Sequence, residues 1–321
     1  MREHIVFGFE HYNPLGIVRS LGECGIQPIA IVIKSKDHLL SKSRYLKKVH
    51  YVSSIEEGYE LLIREYSSNC VSSSNDKKNV IYTSDDQITC FLDNRYTQIK
   101  DKFIFNNAGS DGRISFYMDK FNICNLAKEC GIDIADTVVA ERGEIPSNLS
   151  YPIITKAINS TIDNWKADSF ICKNENELKA AFEKIRSKRV LIQKYVQKVN
   201  ELCIDGCSVN KGKNVLFAIA STYDYILPNT YSPLMTVKNF SDTKLAEKLR
   251  TMLSKIGFEG IFSIEFLVDK DQNLYFLEIN FRNSTWSYAS TVAGMNLPKI
   301  WFEGMLSSTL PKAIEIATPF K

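Results

Sequence analysis

The sequence predicts an α/β protein that begins with a doubly wound parallel sheet and continues into antiparallel hairpins. Over about the first 112 residues, short apolar runs alternate with capped helical segments, which is typical of βαβ units. From residue 201 onward, strands of alternating apolar and polar residues are joined in pairs by turn sequences. The length of 321 residues is enough for about two domains.

The composition argues against several classes of partner. The chain carries 40 basic and 37 acidic residues, and the net charge of +3 is too small to favour nucleic acid or an anionic membrane surface. No apolar stretch approaches the length of a membrane span. Eight scattered cysteines without a CxxC pair indicate buried free thiols in a reducing compartment. We therefore expect a cytoplasmic protein that binds neither nucleic acid nor membrane.

The N-terminal part contains the predicted parallel strands, at residues 4–8, 27–33, 49–52, 79–83 and 103–105. Asn13 and Pro14 predict the start of the first helix, and Gly25 its end. Ser54 predicts the cap of the next helix. The GxGxxG fingerprint is absent, so a dinucleotide site has little support.

Two lysines in the middle of the chain lie at positions that favour contact with an anion. Asp119 and Lys120 open a predicted helix that Gly131 ends, and a strand at residues 151–156 finishes on Lys156. A lysine after largely apolar strand residues is costly to bury unless it meets an anion. We predict a helix that starts near Asn176, a strand at residues 190–196 that leads into a hinge, and an irregular lid at residues 223–235.

Further along the chain, strands at residues 201–209 and 215–220 should form a hairpin around the turn at residues 210–214. Asp242 predicts the cap of a helix over residues 243–256, and Gly257 predicts its end.

The C-terminal hairpin is the most specific signal. In its first strand, alternation puts Phe262, Ile264, Phe266 and Val268 on one face; in the second, it predicts an apolar face of Tyr275, Leu277, Ile279 and Phe281. The opposite face then carries Glu278, Asn280 and Arg282, and an even loop such as residues 270–273 places Glu265 opposite Glu278. An odd loop would turn Glu265 to the other side of the sheet.

Two carboxylates and an amide oxygen on this apolar strand pair favour a bound cation, and these oxygen ligands suit Mg²⁺. The alternative is a solvated face whose charges bind nothing.

The pattern "FSIEFLVD…LYFLEINFR" resembles the metal-binding end of the ATP-grasp superfamily, and "DK" and "YPIITK" resemble its phosphate-binding segments. The resemblance implies an ATP-grasp module of two α+β subdomains after the doubly wound domain. The implied metal ligands for Mg²⁺, or Mn²⁺, are Glu265, Glu278 and Asn280. The implied ATP-binding residues are Lys120, Lys156, Lys166, Gln193, Lys194, Tyr195, Val196 and Glu201.

One segment departs from the family pattern. Many ATP-grasp proteins cover the phosphates with a glycine-rich loop, whereas residues 157–166 contain no glycine. The Trp165-Lys166 pair resembles the loop of the D-aspartate-ligase-like branch, in which Lys166 would supply a point charge instead of glycine amides.

The resemblance also implies a division of the chain. Residues 1–112 would form the substrate-side domain, residues 113–196 the small nucleotide-lid subdomain, and residues 197–321 the metal and catalytic subdomain. His11, Arg44 and Asp85 are candidates for the acceptor cleft, with surface solvation as the alternative for each.

The implied activity is that of a carboxylate–amine ligase. ATP would convert a carboxylate into an acyl phosphate, an amino acid or amine would then attack it, and ADP and phosphate would leave. Arg282 and Lys156 are the implied catalytic residues, the partners are small molecules, and a homodimer is compatible with the family. Two alternatives remain: carbamoyl-phosphate-synthase-like phosphorylation of bicarbonate, and a non-catalytic nucleotide-binding regulatory protein.

Overall fold

The computed structural model describes residues 2–33, 39–67, 75–158, 168–227 and 232–321. Within these ranges the strands are β1 (His4–Phe9), β2 (Ile29–Ile33), β3 (Lys48–Val52), β4 (Asn79–Thr83), β5 (Phe103–Ile104), β6 (Thr137–Glu141), β7 (Ile153–Ala157), β8 (Ile171–Cys172), β9 (Arg189–Lys194), β10 (Lys198–Val209), β11 (Asn214–Tyr223), β12 (Met235–Lys238), β13 (Gly260–Asp269) and β14 (Leu274–Asn280). The α-helices are α1 (Tyr12–Glu23), α2 (Ile55–Leu61), α3 (Asp86–Asp93), α4 (Tyr96–Ile99), α5 (Arg113–Met118), α6 (Lys120–Glu129), α7 (Glu175–Phe182), α8 (Thr243–Ile256), α9 (Tyr288–Val292) and α10 (Leu297–Ser307).

The N-terminal sheet is parallel throughout and has the order β3-β2-β1-β4-β5. This order confirms the doubly wound prediction. The chain moves outward from β1 to β3 on one side and returns to place β4 on the other side of β1. Such a reversal opens a crevice at the carboxyl ends of the two central strands, where ligands of these folds bind.

The other two sheets are antiparallel. A four-stranded sheet has the order β6-β9-β7-β8, and a five-stranded sheet has the order β12-β11-β10-β13-β14. The predicted hairpin of β10 and β11 is confirmed. The sequence reading missed β6, β8 and β12, which are two to five residues long. Alternation is a weak signal in strands this short, and these three lack the long continuous apolar run that identified β2.

Helix caps follow local side-chain chemistry. The predicted caps Ser54, Asp119 and Asp242 each accept a backbone amide of the first turn of their helix. Asn13 is not a cap, because α1 begins earlier and the His11 ring accepts the amide of Asn13 at 3.2 Å. Similarly, α7 is capped by Asn174, two residues before the predicted start.

Apolar packing joins the N-terminal sheet to the five-stranded sheet. One buried cluster contains side chains of α1, β1 and β2 together with β10, β11 and the fully buried Trp301 of α10. A second cluster packs α6 and α8 against β13 and β14. Each Å² of apolar surface that this packing removes from water stabilises the fold by about 25 cal/mol. These contacts fix the end of β14 beside the crevice of the parallel sheet.

Two further expectations from the sequence concern membrane-spanning helices and the state of the cysteines. In the described part of the chain, no helix has both the length and the apolar character needed to cross a membrane. The seven cysteines that the structure describes are all free thiols, as predicted. Cys70 lies outside the described residues.

Candidate active site

The hairpin of β13 and β14 brings the predicted metal ligands together. Glu265 lies directly opposite Glu278, and Asn280 lies opposite Ser263 on the same face. The Asn280 amide donates to Glu265 Oε1 at 3.0 Å. Two carboxylates and the Asn280 amide therefore meet on one face of the sheet, with the amide nitrogen toward Glu265 and the amide oxygen toward Arg282.

The register arises differently from the prediction. Near the turn, Val268 pairs with Leu274, which by itself would turn Glu265 away from Glu278. A bulge at Leu277 shifts the register by one residue and restores the pairing. The predicted apolar face of β14 is consequently wrong between the turn and the bulge. Phe276 enters the core instead of Tyr275 and Leu277, whereas Ile279 and Phe281 are buried as predicted.

The acidic pair is electrostatically unfavourable without a cation. Burial, followed by the charges of Glu278 and Glu201, raises the pKa of Glu265 well above the ordinary value of a glutamate. The described residues contain no cluster of three His, Cys, Asp or Glu side chains that could hold a metal. This site differs from such a cluster because its third member is the amide of Asn280.

Two predicted phosphate-binding lysines lie beside this pair. Lys120, at the start of α6, has its Nζ 3.7 Å from Glu278 Oε2. Lys156 on β7 donates to Gln193 Oε1 at 2.9 Å. Burial, and then the charge of Lys120, lowers the pKa of Lys156 to about 8. A bound anion beside the two ammonium groups would counter both the burial of Lys156 and its repulsion by Lys120.

The predicted adenine-binding residues lie at the end of β9 and just after it. The Lys194 side chain donates to the carbonyls of Ser150 and Tyr151 at 3.0 and 3.2 Å, and the Tyr195 amide donates to Pro152. Val196 follows in the connection to β10. The nucleotide roles of these residues stay predictions.

Of the two remaining predicted nucleotide-binding residues, Glu201 lies within the described part of the chain. Glu201 is 8% exposed and forms an ion pair with Lys198. It lies on β10 near enough to Glu265 to raise the pKa of that carboxyl. The ribose role of Glu201 stays a prediction. Lys166 lies outside the described residues.

Arg282 connects the hairpin to the N-terminal sheet. Its Nε and one terminal nitrogen donate to the two carboxylate oxygens of Asp86 at 2.7 and 3.1 Å. The same terminal nitrogen donates to Asn280 Oδ1 at 3.0 Å. The sequence reading missed Asp86 and chose its neighbour Asp85, whose carboxylate caps α3. The signal that could have found Asp86 is its position directly after β4, at the carboxyl edge of the parallel sheet.

Two cavities meet at this arginine. The larger, of about 570 Å³, is lined by the acidic pair and by aromatic side chains that include Tyr12 and Trp286. The smaller, of about 250 Å³, lies at the carboxyl ends of β1 and β4. His11 and Asp85 line the smaller cavity, and their acceptor roles stay predictions. Arg44 lines neither of the two and lies beside Tyr45 in a separate depression.

A second buried carboxylate was also missed. Asp205 on β10 is fully buried, and its Oδ1 accepts the hydroxyls of Ser284 and Ser287 at 2.8 Å each. Burial raises the pKa of Asp205. The two serines belong to the segment that places Thr285 and Trp286 in the wall of the larger cavity. Asp205 therefore holds this part of the cavity wall in place through its two hydrogen bonds.

The domain profile that matches this chain is described as the ATP-grasp domain, and the match covers residues 125–287, about half of the chain. The chain belongs to the ATP-grasp family. The matched range includes Lys156 and the whole β13–β14 hairpin, so family membership and the geometry of the site concern the same residues.

Curated relatives of this ATP-grasp protein include N5-carboxyaminoimidazole ribonucleotide synthases. The protein of Staphylococcus epidermidis is 24% identical over 174 residues, which are 53% of this chain and 45% of that protein. The protein of Staphylococcus haemolyticus is 20% identical over 174 residues, which are 54% and 46% of the two chains. The match thus spans about half of either chain.

Solved structures share the fold over nearly the whole chain. The N5-carboxyaminoimidazole synthetase of Staphylococcus aureus has a TM-score of 0.72 at 16% identity and covers 99% of this chain and 82% of its own. The L-amino acid ligase of Bacillus licheniformis has a TM-score of 0.70 at 12% identity, over 95% and 74%. At these identities the likeness establishes the ATP-grasp architecture.

Proposed function

We propose that this protein is an ATP-dependent carboxylate–amine ligase that forms an acyl phosphate and then an amide. The observation that carries the proposal is the partly buried Glu265–Glu278 pair, which lies near two lysines and a guanidinium and faces a cavity. Anionic and cationic groups in this order suit a metal–polyphosphate complex beside a reacting carboxylate. Family membership supports ATP as the substrate, and the S. aureus neighbour was also solved with ADP.

The residues fit a divalent cation. The raised pKa of Glu265 indicates that two carboxylates are held together at a cost that a bound cation would remove. Glu265, Glu278 and Asn280 would hold Mg²⁺, which when bound neutralises phosphate charge and orients the phosphoryl group. A neighbouring biotin carboxylase domain was solved with magnesium and ADP.

The proposed reaction has two steps. A carboxylate oxygen of the first substrate attacks the γ-phosphorus of ATP, and ADP leaves. The amine nitrogen of the second substrate attacks the acyl carbon, phosphate leaves, and the nitrogen loses a proton. Lys120 and Lys156 would neutralise the phosphate oxygens, and Arg282 would stabilise the transferring phosphoryl group. Asp86 would orient Arg282 through its two hydrogen bonds, because a paired guanidinium has a fixed plane.

The remaining roles follow from position. Gln193, Lys194, Tyr195 and Val196 would contact adenine, and Glu201 would bind the ribose. Lys166 would add charge near the phosphates. The proposed domains are residues 1–112 for the acceptor, 113–196 for the nucleotide lid and 197–321 for the metal.

Phosphorylation of bicarbonate is the second candidate. It is favoured by a structural neighbour, the biotin carboxylase domain of the Hydrogenobacter thermophilus 2-oxoglutarate carboxylase, which was solved with bicarbonate. That neighbour is 15% identical to this chain, with a TM-score of 0.68. The two candidates differ in whether the first substrate carries an organic group.

An ADP-release screen tests the proposal. The protein is incubated with ATP and Mg²⁺ against a matrix of carboxylates, amino acids and bicarbonate, and hydroxylamine traps any acyl phosphate as a hydroxamate. We expect release that requires a carboxylate and rises when an amine is added. Release with bicarbonate and ammonia alone would favour the second candidate. ATP binding without any release would indicate a non-catalytic nucleotide-binding protein.

A further inference from the structure

The wall of the smaller cavity contains three carboxylates and one guanidinium. This cavity lies where the strand order of the parallel sheet reverses, and it joins the larger cavity at Asn13 and Arg282. Its volume of about 250 Å³ suits a small group. The charged or titratable side chains in its wall are Glu10, His11, Asp85, Asp86 and Arg282.

The arginine does not neutralise all of the carboxylates. Arg282 is engaged by Asp86 through two hydrogen bonds, so these two charges cancel. Glu10 is 7% exposed, and its Oε1 accepts the backbone amide of Ser41 at 2.9 Å. Asp85 Oδ1 accepts two backbone amides of α3. Amides are neutral donors, so neither contact supplies a positive charge to offset its carboxylate.

Two further observations indicate that a ligand completes the cavity. None of the residues that the structure describes donates to Glu10 Oε2, although the side chain is almost fully buried in the cavity wall. No described lysine or arginine forms an ion pair with Glu10 or Asp85. A buried carboxylate such as that of Glu10 is normally paired, so this cavity wall suits a cationic ligand group.

The histidine adds no compensating charge at neutral pH. His11 Nδ1 accepts the amide of Asn13, which requires that this nitrogen carries no proton. Burial lowers the pKa of His11, although the charge of Asp85 opposes the effect. In the described part of the chain, Glu10 and Asp85 therefore face the cavity without an ion pair of their own.

We propose that this cavity binds the amine-bearing part of the acceptor substrate as an ammonium group and rejects a phosphate-bearing group. The ammonium nitrogen gives one proton to the carboxylate of Glu10 or Asp85 before its lone pair attacks the acyl carbon, and it loses a second proton as the amide forms. The inference rests on the proposed ligase function, because the acceptor must lie next to Arg282 and the acidic pair. It also separates this chain from its curated relatives, which are named for a ribonucleotide product and hence for a molecule that carries phosphate. A phosphate in this cavity would lie against the carboxylates of Glu10 and Asp85, which carry charge of the same sign.

Two small probes test the charge preference by calorimetric titration of the full chain, with and without saturating ADP and Mg²⁺. Glycinamide supplies a primary ammonium group without a carboxylate, and ribose 5-phosphate supplies the phosphate. We expect glycinamide to bind and ribose 5-phosphate not to bind. The double variant Glu10→Gln with Asp85→Asn keeps side-chain size and the capping oxygen, and it should weaken glycinamide at least about tenfold.

A matched control removes the same charges elsewhere. Glu60→Gln with Asp101→Asn changes two exposed positions of the same N-terminal part and should leave glycinamide affinity unchanged. If the first double variant fails to fold, as judged by circular dichroism, the single Glu10→Gln variant should still weaken glycinamide about threefold.

Three results would overturn the inference. They are tighter binding of ribose 5-phosphate than of glycinamide, equal glycinamide affinity in the two double variants, and no binding of glycinamide to the wild-type protein. Failure of the proposed function gives a different result, namely no binding of ADP with Mg²⁺. The titrations without nucleotide still report on the cavity in that case.

Discussion

Two carboxylates on the same face of the five-stranded sheet have opposite surroundings. Asp205 is sealed from solvent and accepts two serine hydroxyls, whereas Glu265 lines a cavity and faces a second carboxylate. Burial raises the pKa of both groups. Burial alone therefore does not mark a functional residue. The neighbours do: hydroxyl donors stabilise the charge of Asp205, and Glu278 makes the charge of Glu265 dependent on a cation.

Removing the second carboxylate of the site should have the largest effect. With Glu278→Gln, we expect ADP formation to fall at least about 100-fold, the scale seen when one electrostatic group leaves an active site. The fold should persist, because Glu278 faces the cavity and not the core. Glu183→Gln, which changes an exposed glutamate, is the control for steady-state assays. Full activity of Glu278→Gln would mean that the hairpin is not the metal site.

A cation beside the acidic pair sharpens the contrast, because burial lowers the pKa of Lys156 just as it raises the pKa of Glu265. Lys156→Ala should weaken ATP binding about 10- to 100-fold and leave adenosine binding nearly unchanged, since only the phosphates meet the charge. Calorimetric titration of both ligands measures this, with the exposed Lys173→Ala as control. An equal loss for ATP and adenosine would make Lys156 a structural residue.

The stability of the metal-free protein should respond in opposite directions at the two carboxylates. Asp205→Ala leaves two buried hydroxyls without their acceptor and should lower the free energy of unfolding by about 2 kcal/mol. Glu265→Gln removes repulsion from Glu278 and should raise the free energy of unfolding at pH 8 by on the order of 1 kcal/mol. Urea unfolding in the presence of a chelator checks both. The comparison fails if both variants are destabilised equally.

The last expected effect is a pH dependence of Mg²⁺ binding. The folded-state pKa of Glu265 lies above its ordinary value of 4.5. The stability of the metal-free protein therefore falls as the pH rises from 4.5 toward the raised pKa. Because Mg²⁺ needs the ionised form, its affinity should rise with pH by at most about tenfold per pH unit. Titrations at pH 6 and pH 8, in buffers of different ionisation enthalpy, should show proton release. An affinity independent of pH would contradict the raised pKa.

The sequence by itself determined the features whose signals are local. Asp242 and Gly257 fix the ends of α8 as predicted, because a cap and a left-handed glycine act within one helical turn. The residues of the acidic site were also predicted, since Glu265, Glu278 and Asn280 lie in one hairpin of adjacent strands. Family resemblance added Lys120 and Lys156, and the structure places both near the acidic pair.

Only the tertiary structure decided the contacts between distant parts of the chain. The Asp86–Arg282 pair joins residues 196 apart, and the Asp205–Ser284 hydrogen bond joins residues 79 apart. The bulge at Leu277 likewise depends on how β14 packs against the core and not on its own alternation. Alternation and capping report on neighbours within a few residues. Long-range pairing depends on packing of whole sheets, which a single sequence does not reveal.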